Sequence, residues 1–195
     1  VRASGTVGGN IANGSPIGDM PPMLIALDAM LTLRHGSVER TLPLEKFFIA
    51  YGKQDRAPGE LVWRIEVPKL KRGEAFRAYK ISKRFDQDIS AVMAGFKFTL
   101  DGRTISSARI AFGGMAATPK RGAATEAALQ GALLDQPASW AAAIDALTKD
   151  FQPISDMRAT AAYRIEVAQG LLKKALMEVA GASNTRVLAH RKAVA

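Results

Sequence analysis

The sequence predicts an α+β fold, in which an antiparallel sheet with flanking helices is followed by a small antiparallel sheet backed by a three-helix bundle. Two observations support this prediction. Between positions 30 and 112, apolar residues alternate with other residues in short runs, a period typical of half-buried strands. From position 125 onward the apolar period lengthens to that of helices. A chain of 195 residues is long enough for one domain or for two small ones.

The first predicted unit covers residues 1–72. Asp19 is a candidate helix cap, because it stands just before Pro21 and Pro22, and proline suits the first turn of a helix. Runs of β-favouring residues bounded by turn residues predict three strands, at 30–34, 38–42 and 61–67. The basic stretch 69–73 then marks the boundary of the unit.

The second predicted unit, residues 73–182, opens with strands. These are expected at 76–82, 92–100 and 105–112, with an Asp-Gly turn between the last two. The apolar parity slips between Ile105 and Ala108, which indicates a bulge in the returning strand.

Three helices are predicted after these strands. They are expected at 125–134, at 139–148, and from Ser155-Asp156 to about Gly181. The apolar stripe of the third helix begins at Met157, and Arg164 lies off that stripe. The remaining residues, 183–195, are a basic tail for which the sequence predicts disorder or docking on a partner.

Composition excludes several functions. The chain has no cysteine, so it can hold neither an iron–sulfur cluster nor a thiolate zinc site, and the two histidines have no metal-ligand spacing. No metal site is therefore predicted. A net charge of +9 is compatible with nucleic acid, an anionic cofactor or an acidic partner, but the basic residues are scattered and form no nucleic-acid motif. No apolar run is long enough for a membrane span, and a cytoplasmic protein is expected.

The most informative segment runs from Thr6 to Asp19. Its paired glycines allow successive backbone N–H groups to point at one spot and allow a phosphate to approach closely. This is the chemistry of an anion cradle. The segment fits neither the Rossmann glycine pattern nor the Walker loop, and by glycine content alone a surface turn is the simpler interpretation.

Ordered motifs along the chain favour the cradle. The glycine-rich run resembles the second flavin-binding loop of the FAD domains of xanthine dehydrogenases and related molybdenum hydroxylases. Similar matches follow in the same order at 60–68, 79–80, 84–89, 112–116 and 155–164. The resemblance covers about residues 1–182, and it identifies the second half of the FAD domain plus the C-terminal domain shared with carbon monoxide dehydrogenase flavoproteins.

The resemblance implies a set of FAD-binding residues and no catalytic residue. Donors to the diphosphate would come from Thr6, Val7, Gly8, Gly9 and Asn10. Asp19 would accept hydrogen bonds from the polyol or a neighbouring loop, Val62 would make an apolar contact, and Lys80 would reach a flavin carbonyl. An earlier diphosphate loop of the family has no counterpart here, so the chain is expected to hold only part of the FAD site.

The function implied is that of an electron-transfer module in a xanthine dehydrogenase-type oxidoreductase, inactive when isolated. Electrons would pass from iron–sulfur clusters through FAD to NAD, while molybdopterin and the clusters belong to partner domains. Two alternatives stay open: the flavoprotein subunit of a carbon monoxide or aromatic acyl-CoA enzyme, and a purely structural module without flavin. Nucleic acid and membranes are not expected as partners.

Overall fold

A computed structural model describes residues 3–183 and 185. The first part of the chain alternates short helices with short strands. In order these are α1 (Val7–Asn13), α2 (Met20–Ala26), β1 (Met30–His35), β2 (Val38–Pro43), α3 (Leu44–Phe47), β3 (Phe48–Ala50), β4 (Lys53–Gln54) and β5 (Leu61–Glu66).

The first sheet has the strand order β2-β1-β5, and both pairings are antiparallel. The hairpin β1–β2 was predicted and turns at Gly36, whose φ of 59° lies in the left-handed region that glycine tolerates. Leu31 and Leu33 of the central strand are fully buried and belong to a core that includes Leu44 and Phe47 of α3. The short helix α3 therefore packs against this sheet through Leu44 and Phe47.

The second part contains a larger sheet and three helices. Its elements are β6 (Glu74–Ile81), β7 (Val92–Asp101), β8 (Thr104–Gly113), β9 (Lys120–Arg121), α4 (Ala123–Leu129), a 3-10 turn (Pro137–Trp140), α5 (Ala141–Asp150) and α6 (Ala161–Ala180). The strands run antiparallel in the order β6-β7-β8-β9. Thr99 pairs with Ser107 and Leu100 with Ile105, which leaves Ser106 as the extra residue and confirms the predicted bulge.

Both faces of the second sheet are covered. Phe96, Phe98 and Phe112 are fully buried in a core shared with α4, α5 and α6. On the opposite face, α2 lies directly over Gly95, where an added Cβ would come within 2.8 Å of the Pro22 carbonyl oxygen. Because Gly95 pairs with Ala78 and Ala111 across the sheet, small residues make the room that α2 needs. This close packing joins the two parts of the molecule.

The start of the glycine-rich segment, for which glycine content alone favoured a surface turn, is a capped helix. Thr6 has extended backbone angles, and its hydroxyl accepts a 2.9 Å hydrogen bond from the Gly9 N–H. Conversely, Asp19 has helical angles and makes no side-chain cap, so the predicted capping role of Asp19 is wrong. Its carboxylate is used elsewhere.

The long last helix begins later than predicted. It starts at Ala161 and is capped by Thr160, because the Ser155 and Asp156 side chains fold the preceding turn instead. Met157, the predicted first residue of the apolar stripe, therefore lies outside the helix and is 77% exposed, which corrects that prediction. Arg164 was predicted to lie off the stripe, and it is buried.

The described residues contain no helix that is long and apolar enough to cross a bilayer. The predicted basic tail, 183–195, lies outside the described residues apart from Ser183 and Thr185.

Candidate functional site

The amino end of α1 supplies backbone donors. The first N–H groups of any helix have no partner within that helix, and Val7, Gly8 and Gly9 form this first turn. Thr6 satisfies Gly9 with its hydroxyl, and its carbonyl accepts the Asn10 N–H at 3.1 Å. The remaining first-turn N–H groups can therefore donate to an anion, as the glycine pairing suggested.

Helix α1 packs against strand β5. A Cβ added to Gly8 would lie 3.6 Å from Cγ1 of Val62, so two of the predicted site residues are neighbours. The Asn10 side-chain oxygen, Oδ1, is buried and has no hydrogen-bond partner among the described residues. A buried acceptor without a partner is unfavourable, and a ligand hydroxyl would satisfy it. This orphaned atom fits a cofactor with a polyol chain.

Asp19 anchors a second cluster. Lys80, on edge strand β6, donates to Asp19 Oδ2 at 2.7 Å, and the buried Ser90 hydroxyl donates to Asp19 Oδ1. The Asp19 and Lys80 side chains are 37% and 39% exposed, respectively. The carboxylate and the ammonium are thus prearranged by each other and still accessible to a ligand.

The loop after β6 shapes an open cavity beside Lys80. The cavity has a volume of about 510 Å³ and is lined by Lys80, Ser82 and the loop residues from Phe85 to Ile89. The Asp88 carboxylate holds the loop together, because it accepts hydrogen bonds from the backbone N–H groups of Arg84 and Ile89. These bonds and the nearby Arg84 guanidinium lower the pKa of the Asp88 carboxyl, although desolvation raises it. Phe85, at the tip, is 99% exposed. The exposed Phe85 ring therefore adds an apolar surface to the cavity that Lys80 also lines.

The predicted site residues therefore fall into two clusters. Thr6 to Asn10 meet Val62 on one side, while Asp19 meets Lys80 on the other. The segment Ser15–Asp19 leads from the first cluster to the second. We call it the flavin loop, because it ends the longer segment, Thr6 to Asp19, that resembles a flavin-binding loop. Which of these residues contact a cofactor stays a prediction.

Sequence reasoning missed three residues that hold the flavin loop. Ser90 bonds Asp19, the Gly114 N–H donates to the Pro16 carbonyl at 2.7 Å, and Arg164 donates to the carbonyl of Gly114 at 3.0 Å. The Gly-Gly pair at the end of β8 was the available signal, because residue 114 has a φ of 80°. The described residues contain no cluster of His, Cys, Asp or Glu that could hold a metal ion.

Family models match nearly the whole chain in two segments. Residues 1–70 match the FAD binding domain in molybdopterin dehydrogenase, and residues 77–179 match the CO dehydrogenase flavoprotein C-terminal domain.

Relatives from several enzymes agree with these models. The chain is 35% identical to a nicotinate hydroxylase of Emericella nidulans, over 84% of this chain and 13% of that protein. It is 36% identical to a xanthine dehydrogenase of Blastobotrys adeninivorans, over 84% of this chain and 12% of that protein. The chain thus spans only a small part of these relatives.

A solved structure shows the same fold. The carbon monoxide dehydrogenase of Hydrogenophaga pseudoflava, solved in a form that lacks the Mo-pyranopterin moiety of its molybdenum cofactor, superposes with a TM-score of 0.83 at 31% identity. The match covers 90% of this chain and 60% of that one. The chain belongs to the FAD-binding flavoprotein family of the molybdenum hydroxylases, as the resemblance of its ordered motifs implied.

Proposed function

We propose that this chain is the FAD-binding, electron-transfer portion of a xanthine dehydrogenase-type oxidoreductase. The observation that carries the proposal is the buried Asn10 Oδ1, which has no hydrogen-bond partner among the described residues. It lies on a helix whose Val7 and Gly8 N–H groups are available to an anion near Val62. A ligand that offers both phosphate oxygens and hydroxyl groups would satisfy these two unmet requirements together.

The diphosphate is assigned to the amino end of α1. Backbone N–H groups of Val7 and Gly8 would donate to its oxygens, while the Thr6 hydroxyl holds the N–H of Gly9. The absence of side chains on Gly8 and Gly9 lets the phosphates approach. Asn10 would bind the polyol or, with its amide rotated, donate to a phosphate. Val62 would contact an apolar ring face.

The flavin ring is assigned to the neighbourhood of Lys80. When bound, FAD supplies two-electron chemistry that the side chains of this chain cannot perform. A lysine ammonium near a ring carbonyl stabilises negative charge, and Asp19 fixes the position of that ammonium. The exposed loop with Phe85 borders the same space and would set access to it.

The wider enzyme is part of the proposal. Iron–sulfur clusters and molybdopterin would lie on partner domains, NAD would accept the electrons, and the assembly would work in the cytoplasm on a purine. The superposition on a carbon monoxide dehydrogenase favours one second candidate, the flavoprotein subunit of an enzyme of that type. Adding NAD to the reduced assembled enzyme separates the two: rapid flavin reoxidation supports the xanthine dehydrogenase type.

Titration of the full chain with FAD tests the cradle. Asn10→Asp places a negative charge where the diphosphate is assigned, with almost no change of shape, and we expect affinity to fall at least about tenfold, as for a lost charge-assisted hydrogen bond. Asn13→Asp is the matched control, because it adds the same charge to the exposed end of the same helix. Quenching of flavin fluorescence reports binding.

Three results are decisive. Weak wild-type binding, loss in Asn10→Asp and retention in Asn13→Asp support the assignment. Equal affinity in all three proteins would place the diphosphate elsewhere. An unperturbed flavin signal with the wild-type chain, up to about millimolar protein, would contradict FAD binding by this chain, because that concentration detects binding as weak as about −4 kcal/mol.

A further inference from the structure

Arg164 is a buried charge outside the assigned FAD contacts. It lies in α6 and only 1% of it is exposed. Its guanidinium donates to the Ala91 carbonyl, to the Gly114 carbonyl at 3.0 Å and to Asp156 at 2.7 Å. Burying a cation is unfavourable unless opposite charge and hydrogen bonds compensate. Here the Asp156 carboxylate and two backbone carbonyls provide that compensation.

The two carbonyls belong to the two segments that hold the flavin loop. Gly114 donates its N–H to the Pro16 carbonyl at 2.7 Å. Ser90, the residue before Ala91, donates its hydroxyl to Asp19. Besides the Lys80–Asp19 ion pair, two connections run from the second part of the molecule to the flavin loop, and these two converge on one guanidinium.

The chemistry of arginine suits this position. One arm of its planar fork, Nη1, donates to both carbonyls, and the other arm, Nη2, donates to Asp156. A lysine ammonium on a flexible stem holds three acceptors in such fixed directions less well. Space is tight: at Gly114 an added Cβ would overlap the Ala91 carbonyl oxygen and lie 3.0 Å from Arg164 Nη1. The start of β7 and the end of β8 are thus clamped at a defined separation.

Asp156 keeps the guanidinium in place. Burial opposes ionisation of this carboxyl, but the N–H groups of Arg158 and Ala159 and the guanidinium of Arg164 outweigh burial and lower its pKa to about 2. The carboxylate is therefore charged at neutral pH. The Asp156 carboxylate also accepts the N–H groups that shape the turn before α6. The turn therefore fixes the carboxylate, and the carboxylate fixes the Arg164 guanidinium.

We propose that Arg164 is a positioning residue for the flavin loop: by bridging the Ala91 and Gly114 carbonyls, it holds Ser90 and Gly114 where they orient Asp19 and Pro16. The geometry of the Asp19–Lys80 pair, and through it the environment of the flavin ring, depends on α6. This rests on the proposed FAD function for its effect on the cofactor, but not for its effect on the loop.

The test compares Arg164→Lys with Arg103→Lys in the full chain. Arg103 is the matched control, because it also joins a carboxylate, Asp135, and a carbonyl, that of Ala180, at the far end of α6. In Arg164→Lys we expect FAD affinity to fall about tenfold, equivalent to about 1.4 kcal/mol, with a shifted visible flavin band. We also expect the Gly114 amide to exchange with solvent about tenfold faster without FAD, because its opening would become easier. Arg103→Lys should change neither.

A Ser90→Ala background sharpens the test. If Arg164 acts through Ser90, the loss of affinity in the double variant is smaller than the sum of the two single losses. Full additivity together with unchanged Gly114 exchange would reduce Arg164 to a packing residue and overturn the proposal.

The two proposals fail differently. If the wild-type chain does not bind FAD but Arg164→Lys still accelerates exchange at Gly114, the cofactor assignment is wrong and the positioning role stands. If FAD binds equally to Arg164→Lys and Arg103→Lys, with the same flavin band and the same Gly114 exchange, the positioning role is wrong.

Discussion

Two polar junctions link the two parts of the molecule, and they are built differently. In the arginine junction, Arg121 joins Glu45 at 3.1 Å and Glu126, and Arg109 joins Glu45 and Asp28. In the flavin-loop junction, one carboxylate, Asp19, meets Lys80 and Ser90. In the first junction the two arginines and two glutamates are 9% to 28% exposed, whereas in the second both members of the ion pair are 37% to 39% exposed. The second pair is therefore the more accessible to a ligand.

The arginine junction should contribute more to the free energy of unfolding than the flavin-loop junction does. Glu126 is 9% exposed and accepts both the Ile110 N–H at 2.7 Å and the Arg121 Nε–H at 3.0 Å. Glu126→Ala leaves a guanidinium and a strand N–H without this partner, and we expect the free energy of unfolding to fall by about 3 kcal/mol. Urea denaturation followed by circular dichroism measures the change. FAD affinity should stay the same.

The control for this prediction is Glu39→Ala, which removes an exposed ion pair with Arg34 at 3.9 Å and should alter stability by less than about 1 kcal/mol. A comparable loss in both variants would show that the arginine junction adds no more than a surface pair. A loss of FAD affinity in Glu126→Ala would erase the distinction between the two junctions.

Acid should weaken the support of the flavin loop. The folded pKa of Asp156 is lowered to about 2 from an ordinary value of 3.8, so its contribution is complete above the unfolded pKa and disappears as pH falls through the folded pKa. We expect Asp156→Asn to be less stable than wild type by on the order of 2 kcal/mol at pH 6, with the gap closing towards pH 2. Denaturation curves across this range measure the gap. A gap that stays constant with pH would assign the loss to shape and not to charge.

Elements whose stabilising contacts are repetitive could be predicted from the sequence. Phe96 and Phe98 stand two positions apart and both enter one core, so alternation alone located β7, and the parity slip located the bulge at Ser106. Such patterns are informative because every second side chain of a strand packs on the same buried face. The resemblance of the motifs likewise predicted Gly8 and Val62 as members of one site, and the two residues are neighbours in the fold.

Some elements could not be predicted, either because their partners are far away in the chain or because the local sequence favours a different conformation. Gly8 and Gly9 each disfavour a helix, yet packing on β5 and the Thr6 cap make one. Asp156 carries a helix-start signature that is used to close a turn. Arg164 looks solvent-exposed by helical periodicity, because its carbonyl partners lie 50 and 73 residues away in the chain.

The smallest expected effects come from removing the threonine caps of α1 and α6. Thr160 caps α6 through the Tyr163 N–H at 3.2 Å, as Thr6 caps α1 through Gly9. Thr160→Ala should lower the free energy of unfolding by about 1 kcal/mol, because α6 is part of the main core. Thr6→Ala should lower it by less, since the exposed first turn of α1 can fray without opening a core.

Binding should reverse that order. FAD affinity should fall in Thr6→Ala, where fraying removes the prearranged N–H groups, and should hold in Thr160→Ala. Denaturation and flavin titration of the same two proteins measure both quantities. Equal losses of stability would mean that α1 unfolds only with the rest of the molecule, and its amino end would then be a fixed structural feature, not an adaptable part of the site.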